Sequence, residues 1–192
     1  MKIVLCVVVI MLLVGVKLYV DRKNYKKRMR ERLLREWGSP IEDEYSTGKL
    51  QAVVTQNIDG LHQAAGSKKV LELHGSVHRN YCQSCGKLFD AEYILKSSGI
   101  PTCDECGGSI KPDVVLYEEG LDQQTLEDAV YYISHADMLI IGGTSLAVYP
   151  AAGLIDYYRG NKLVLINKST TPLDNRADLL IQGSIGAVLS EV

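Results

Sequence analysis

Apolar residues fall along this chain in two regimes, one long run near the start and short runs separated by polar turns thereafter. The long run is Ile3-Val-Leu-Cys-Val-Val-Val-Ile-Met-Leu-Leu-Val-Gly-Val16, followed by Lys17-Leu-Tyr-Val20. With Lys17 extending its stem toward an interface, it reaches the roughly 17 residues that a bilayer-spanning helix needs. It therefore predicts an uncleaved membrane anchor over residues 1–20. A secretory signal peptide is the rival reading, but no small-x-small cleavage site follows the run. From Asn24 to Trp37 the apolar positions thin to Met29, Leu33, Leu34 and Trp37 among basic residues, the pattern of a short amphipathic juxtamembrane helix. Gly38-Ser39-Pro40 ends it, and the polar stretch from Ile41 to Gly48 reads as a linker. Residues 21–47 thus form a helix and linker, and residues 48–192 the folded body.

Within the body, Leu50-Gln-Ala-Val-Val-Thr55 predicts a strand, followed by a turn and a short helix from Leu61 to Ala65. A second apolar segment, Val70 to Leu73, ends at His74-Gly75. Val114-Val-Leu-Tyr117 reads as a strand, and Leu121 to Ser134 as a helix with acidic residues near its N-terminus. Met138-Leu-Ile-Ile-Gly142 and Lys162-Leu-Val-Leu-Ile166 bracket a helix opening at Pro150, a βαβ unit with parallel strands. The fold class is α/β. In such sheets ligands bind beyond the carboxyl ends of the strands. Gln56-Asn57-Ile58-Asp59, Gly143-Thr144-Ser145 and Asn167-Lys168-Ser169 all fall at strand ends, and together they point to a cleft for a nucleotide. Polar turns also follow strands in empty loops, so spacing by itself leaves both readings open. The chain has no internal repeats and no low-complexity tract.

Cys82, Cys85, Cys103 and Cys106, spaced C-x2-C-x17-C-x2-C, change the picture. Two such pairs in glycine-bearing turns read as a structural four-thiolate zinc site with no position left for metal catalysis. Two disulfides, or four unrelated buried thiols, are the bland alternatives. The zinc lobe is expected over about residues 80–110. Charge is uneven: residues 21–36 are net +5, so the rest sums to −7 against the total of −2. An acidic body argues against non-specific nucleic-acid binding. The basic run after the apolar segment would place the body in the cytoplasm, tethered to the inner face of the membrane by residues 3–20. A reducing compartment agrees with metal-bound thiols.

Several stretches in order resemble the sirtuins, the NAD-dependent protein lysine deacylases, most closely a bacterial member. They are Thr55-Gln-Asn-Ile-Asp-Gly-Leu-His62, Glu72-Leu-His-Gly75, the two cysteine pairs, Lys111-Pro-Asp-Val-Val115, Gly143-Thr-Ser-Leu146 with Val148-Tyr-Pro-Ala-Ala152, and Val164-Leu-Ile-Asn167. The likeness covers residues 49–192. It implies removal of acetyl from lysine side chains, with release of nicotinamide and formation of O-acetyl-ADP-ribose. NAD and one structural Zn2+ are the implied cofactors, and an acetylated-lysine protein or peptide is the implied partner. His74 matches the catalytic histidine, a general base acting on a ribose hydroxyl after the acetyl oxygen has displaced nicotinamide. An imidazole suits that work because it accepts a proton near neutrality. Taken by itself, a histidine in this place would more often be a satisfied loop residue. Asn57 and Asp59 match residues that order the nicotinamide ribose and amide, with Gln56 and Ile58 beside them. Gly143, Thr144 and Ser145 match a phosphate and ribose contact; Asn167, Lys168 and Ser169 match the adenosine-ribose site; Ile185 takes the place of a late adenine contact. Val115, Tyr117 and Val148 would hold the acetyl-lysine peptide as an added strand. His62, His78 and His135 carry no assigned chemistry, and Asp113 could brace a turn or titrate.

The chain also departs from the pattern. The family opens with a strand and a Gly-Ala-Gly-Ile-Ser turn that cradles the pyrophosphate, then a loop with a Pro-Asp-Phe-Arg motif, and neither string occurs here. The expected architecture is therefore a partial Rossmann-like parallel sheet with a small zinc-ribbon lobe, preceded by a transmembrane helix. A sheet without its opening strand would leave neighbouring strands with unpaired amides and carbonyls, which predicts poor NAD affinity. A fusion or an interrupted reading frame would account for such a join. Tyr117-Glu118-Glu119 stands where the family commonly has Phe-Gly-Glu. Two functions remain: a deacetylase, and an inactive remnant acting at most as a zinc-containing binding module.

Overall fold

The computed structural model describes residues 3–7 and 48–191. In chain order its strands are β1 (Ile3–Val7), β2 (Leu50–Thr55), β3 (Val70–Glu72), β4 (Gly75–Cys82), β5 (Leu88–Asp90), β6 (Ile110–Val114), β7 (Met138–Gly142), β8 (Leu163–Asn167) and β9 (Leu179–Gln182). Six form one sheet in the order β3-β2-β1-β7-β8-β9, parallel at every pairing. The other three form a small antiparallel sheet, β5-β4-β6.

This arrangement corrects the reading of the N-terminal run. Ile3–Val7 is not the start of a membrane-spanning helix but a strand at the centre of the sheet, paired with β2 on one side and β7 on the other. A short apolar run suits a central parallel strand as well as a membrane helix, and hydropathy by itself does not separate the two. The opening strand expected to be missing is present, and the neighbours expected to lack partners have them. Among the described residues no helix is long and apolar enough to cross a membrane. The rest of that run, residues 8–20, and the helix and linker expected over 21–47 lie outside the described residues.

Register places one residue from each strand in a single row across the sheet: Glu72, Thr55, Val7, Gly142, Ile166 and Ile181. Strand order reverses between β1 and β7, so the carboxyl ends at that row flank a topological switch point. The polar segments expected to carry chemistry leave the sheet immediately past this row.

The described α-helices are α1 (Leu61–Ala64), α2 (Ala91–Lys96), α3 (Gln123–Ser134) and α4 (Ile185–Leu189), and α3 packs on one face of the sheet. The core joins Ala52, Val54 and Leu71 to Ile133, Leu139, Ile141, Leu154 and Leu165. The α3 helix starts two residues later than its apolar pattern suggests, because Asp122 takes the N-cap and accepts from the Thr125 amide at 2.8 Å. The segment opening at Pro150 is a 3-10 helix, Ala151–Tyr157, with Leu154 and Ile155 buried against the core. The strand expected at Val114–Tyr117 lies earlier, as β6, and Val115 to Tyr117 run past its end.

Candidate active site and metal centre

The turn after β2 is built by its own side chains. The Asn57 amide donates to Thr55 Oγ1 at 3.1 Å, and the Leu61 amide donates to Asp59 Oδ1 at 3.1 Å, opening α1. His74 follows β3 directly. Its Nδ1 lies 3.2 Å from the carbonyl oxygen of Gln56. A carbonyl can only accept, so Nδ1 carries the proton and Nε2 is left with its lone pair. The His74 carbonyl accepts from the Val115 amide at 3.1 Å, which carries the chain past β6 toward Tyr117. Gly75 permits this crossing: its φ is +75°, and a Cβ there would come within 1.9 Å of the Asp113 carbonyl oxygen.

Across the switch point, Gly143 donates to Ile166 O at 3.2 Å, and buried Thr144 accepts from the Leu146 amide at 3.0 Å. Asn167 ties the two loops together, its Nδ2 donating to Thr144 O at 2.8 Å and to Ser169 O at 3.0 Å. Both amide protons are spent, and Oδ1 remains to accept from a hydroxyl. Ile185 packs over Gly142, where its Cδ1 fills the place a Cβ would take. Lys168 and Ser169 are exposed, with the Lys168 carbonyl accepting from Gln182 Nε2 at 3.4 Å. The structure thus gathers Gln56, Asn57, Ile58, Asp59, His74, Gly143, Thr144, Ser145 and Asn167 at the ends of neighbouring strands. Tyr117 and Val148 stand on exposed segments. A hollow of about 470 Å³, lined by His135, Arg159 and Lys162 among others, lies instead at the amino ends of β7 and β8, away from these groups.

The four cysteine sulfurs lie within 4.8 Å of one another. Cys82 and Cys106 are 3.4 Å apart, Cys85 and Cys103 3.7 Å. Disulfides would need about 2.05 Å, whereas sulfurs at about 2.3 Å from a tetrahedral zinc sit near the observed spacing. The two turns repeat one geometry: Cys82 N donates to Lys87 O at 2.9 Å and Gly86 N to Cys82 O at 2.9 Å, while Cys103 N donates to Gly108 O at 2.8 Å and Gly107 N to Cys103 O at 3.0 Å. The amides of Cys85 and Ser84 turn toward the Cys82 sulfur and lower its pKa to about 6. The Gly108 amide pulls Cys106 the same way, but its neighbours Cys82 and Cys85 outweigh it and push that thiol up to about 12. Four thiols this close cannot all ionise unaided, and a divalent cation would supply the missing charge. Lys87 bridges the two turns to Asp104 at 2.8 Å and Glu105 at 2.7 Å. The donor set and spacing fit one structural zinc. Around it pack Phe89, Ile110, Tyr93 and Ile94.

The model describing the Sir2 family matches residues 24–150. The chain belongs to the Sir2 family. The match begins upstream of residue 48, where the change of composition suggested a boundary. Among relatives of this Sir2 chain, an NAD-dependent protein deacetylase of Clostridium acetobutylicum is 62% identical over 170 residues, covering 85% of this chain and 69% of the relative. One from Clostridium perfringens is 65% identical over 146 residues, covering 76% and 60%. The chain thus spans 69% and 60% of the length of these two curated relatives. A solved Sir2 with p53 peptide and NAD+ superposes with a TM-score of 0.79 at 34% identity, covering 100% of this chain and 91% of that one. A Sir2 with 2′-O-acetyl-ADP-ribose and deacetylated p53 peptide gives 0.78 at 33%, covering 100% and 92%.

Other residues take places that the linear pattern did not signal. His62 is buried, and burial lowers its pKa. His135 Nδ1 lies 2.8 Å from the Tyr131 carbonyl at the end of α3. Asp113 braces rather than stands free, accepting from Arg79 Nε at 2.8 Å. Glu118, where the family commonly has glycine, holds φ +70°.

Proposed function

We propose that this chain is an NAD-dependent protein lysine deacetylase, converting NAD, water and an acetyl-lysine protein into nicotinamide, O-acetyl-ADP-ribose and free lysine. The observation that carries the reading is the His74–Gln56 contact at the switch point of the sheet. The Gln56 carbonyl fixes the Nδ1–H tautomer, so Nε2 can take a proton from a ribose hydroxyl. Asn57 and Asp59, on the adjoining turn, orient the nicotinamide ribose and amide. Asn167 Oδ1 would accept from the adenosine ribose, Gly143 to Ser145 would hold the phosphate side, and Ile185 would contact the adenine. Val115, Tyr117 and Val148 would hold the peptide. NAD, when bound, supplies the electrophilic C1′ of the ribose. The zinc site holds the small lobe in shape and takes no part in the reaction.

The reading of an inactive remnant drew on the absent pyrophosphate turn and on half a sheet; β1 fills the sheet, while the Gly-Ala-Gly-Ile-Ser string does not occur in the sequence. Incubation of the zinc-loaded full chain with NAD and an acetyl-lysine peptide tests the proposal. Wild type should form deacetylated peptide and nicotinamide in equal amounts, and wild type that forms neither sinks the enzyme reading.

A further inference from the structure

Pairing between β4 and β6 breaks for three residues. Ser76 faces Asp113 and Asn80 faces Pro112, leaving Val77, His78 and Arg79 without partners on β6. Bulges of this kind re-aim side chains. This one is braced from within: the His78 amide donates to Ser76 Oγ at 3.2 Å, and Asn80 Nδ2 to Val77 O at 3.2 Å. Ser76 and Asn80 are each only 2% exposed.

All three bulged residues reach out of the zinc lobe toward the candidate chemistry. The Val77 amide donates to the Ile58 carbonyl at 3.0 Å. His78 Nε2 lies 2.9 Å from the Asp59 carbonyl, so this nitrogen is the donor. The same ring covers Gly60, where a Cβ would come within 2.7 Å of its Cδ2. Arg79 donates from Nη1 to Glu72 Oε2 at 2.7 Å and from Nε to Asp113 Oδ2 at 2.8 Å. The Glu72 side chain is 7% exposed, two residues before His74. A carboxylate so buried is costly without its cation.

We propose that the Val77–Arg79 bulge is a positioning clamp, in which His78 holds the Asn57–Gly60 turn and Arg79 holds the Glu72-Leu73-His74 segment. The clamp rests on the reading of His74, Asn57 and Asp59 given above. It fixes the separation of two segments that come from different strands and must meet one substrate. It also runs back along β4 to Cys82, so the metal lobe sets the position of the chemistry without touching it.

Four full-length variants test this: His78→Leu, His78→Gln, Arg79→Met and Arg79→Lys. A displacement of about 1 Å can cost up to about 100-fold in rate. We expect His78→Leu and Arg79→Met to lower kcat by about tenfold or more with KM for peptide little changed, and His78→Gln and Arg79→Lys, which keep a donor, to recover most of it. Backbone amide resonances of Asn57 to Gly60 should shift in His78→Leu and return in His78→Gln, while those of Cys103 to Ile110 stay in place. Unmoved turn resonances in His78→Leu, or Gln and Lys variants as impaired as the apolar ones, would overturn the clamp. If wild type proves inactive, the functional reading fails, and the resonances still decide the clamp.

Discussion

His74 Nδ1 faces the main-chain carbonyl of Gln56 at 3.2 Å, which joins the residue following β3 to the turn following β2. Because the partner is backbone, no substitution at position 56 other than a change of fold removes it. His74→Ala should therefore lower peptide deacetylation by about 100- to 10,000-fold, the range for loss of a positioned general base, with little change in folded stability. Chromatography of the peptide product measures the first, and a melting curve the second.

Asn167 is the tie between the Gly143–Ser145 loop and its own. Asn167→Asp keeps an acceptor but loses both donors, and Asn167→Ala loses everything. Each lost hydrogen bond is worth about 1 kcal/mol, so NAD affinity should fall by roughly tenfold per 1.4 kcal/mol, and Asp, whose carboxylate would face the Thr144 and Ser169 carbonyl oxygens, should bind no better than Ala. Calorimetric titration with NAD measures both.

The metal centre should hold one zinc per chain. Cys103→Ser, or prolonged chelation, should lower the thermal midpoint and expose Phe89 and Ile110, which pack beside the buried sulfurs. Metal content by atomic absorption, with melting curves on the same samples, checks this.

The short apolar runs in 50–166 and the cysteine spacing made most of the sheet and the metal centre legible in the sequence, and the polar turns singled out there do follow β2, β7 and β8. Periodicity failed at Ile3–Val7, because a central parallel strand and the start of a membrane helix are both unbroken apolar runs. It also could not disclose Arg79, which meets Asp113 across 34 residues and Glu72 across seven. Such contacts depend on a bulge and on lobe packing, neither of which leaves a local pattern. Asp113 and His78 stayed without roles for the same reason.

Glu118 holds a left-handed backbone at φ +70°, where a side chain costs roughly 1–2 kcal/mol. Glu118→Gly should raise stability by about that amount. The adjacent Glu119 contacts to Lys111 at 2.6 Å and to the Leu116 amide at 2.9 Å should persist. Denaturant unfolding compares the two proteins.

Asp122 accepts from the Thr125 amide and hydroxyl, which hold its carboxyl below the ordinary value of 3.8. A depressed folded pKa means the unfolded chain binds the proton more readily, so the stabilisation is present above about pH 4 and fades as pH falls through the folded value. Asp122→Ala should lower the thermal midpoint at pH 7 and narrow its gap to wild type below pH 3. Melting curves across pH 2–7 test the sign.

The most direct test of the central claim is a single assay of the zinc-loaded full chain and its His74→Ala variant with NAD and an acetyl-lysine peptide, following deacetylated peptide and O-acetyl-ADP-ribose by mass. Wild type should give equal amounts of both products, and the variant almost none. Equal product from both proteins, or none from wild type, would contradict it.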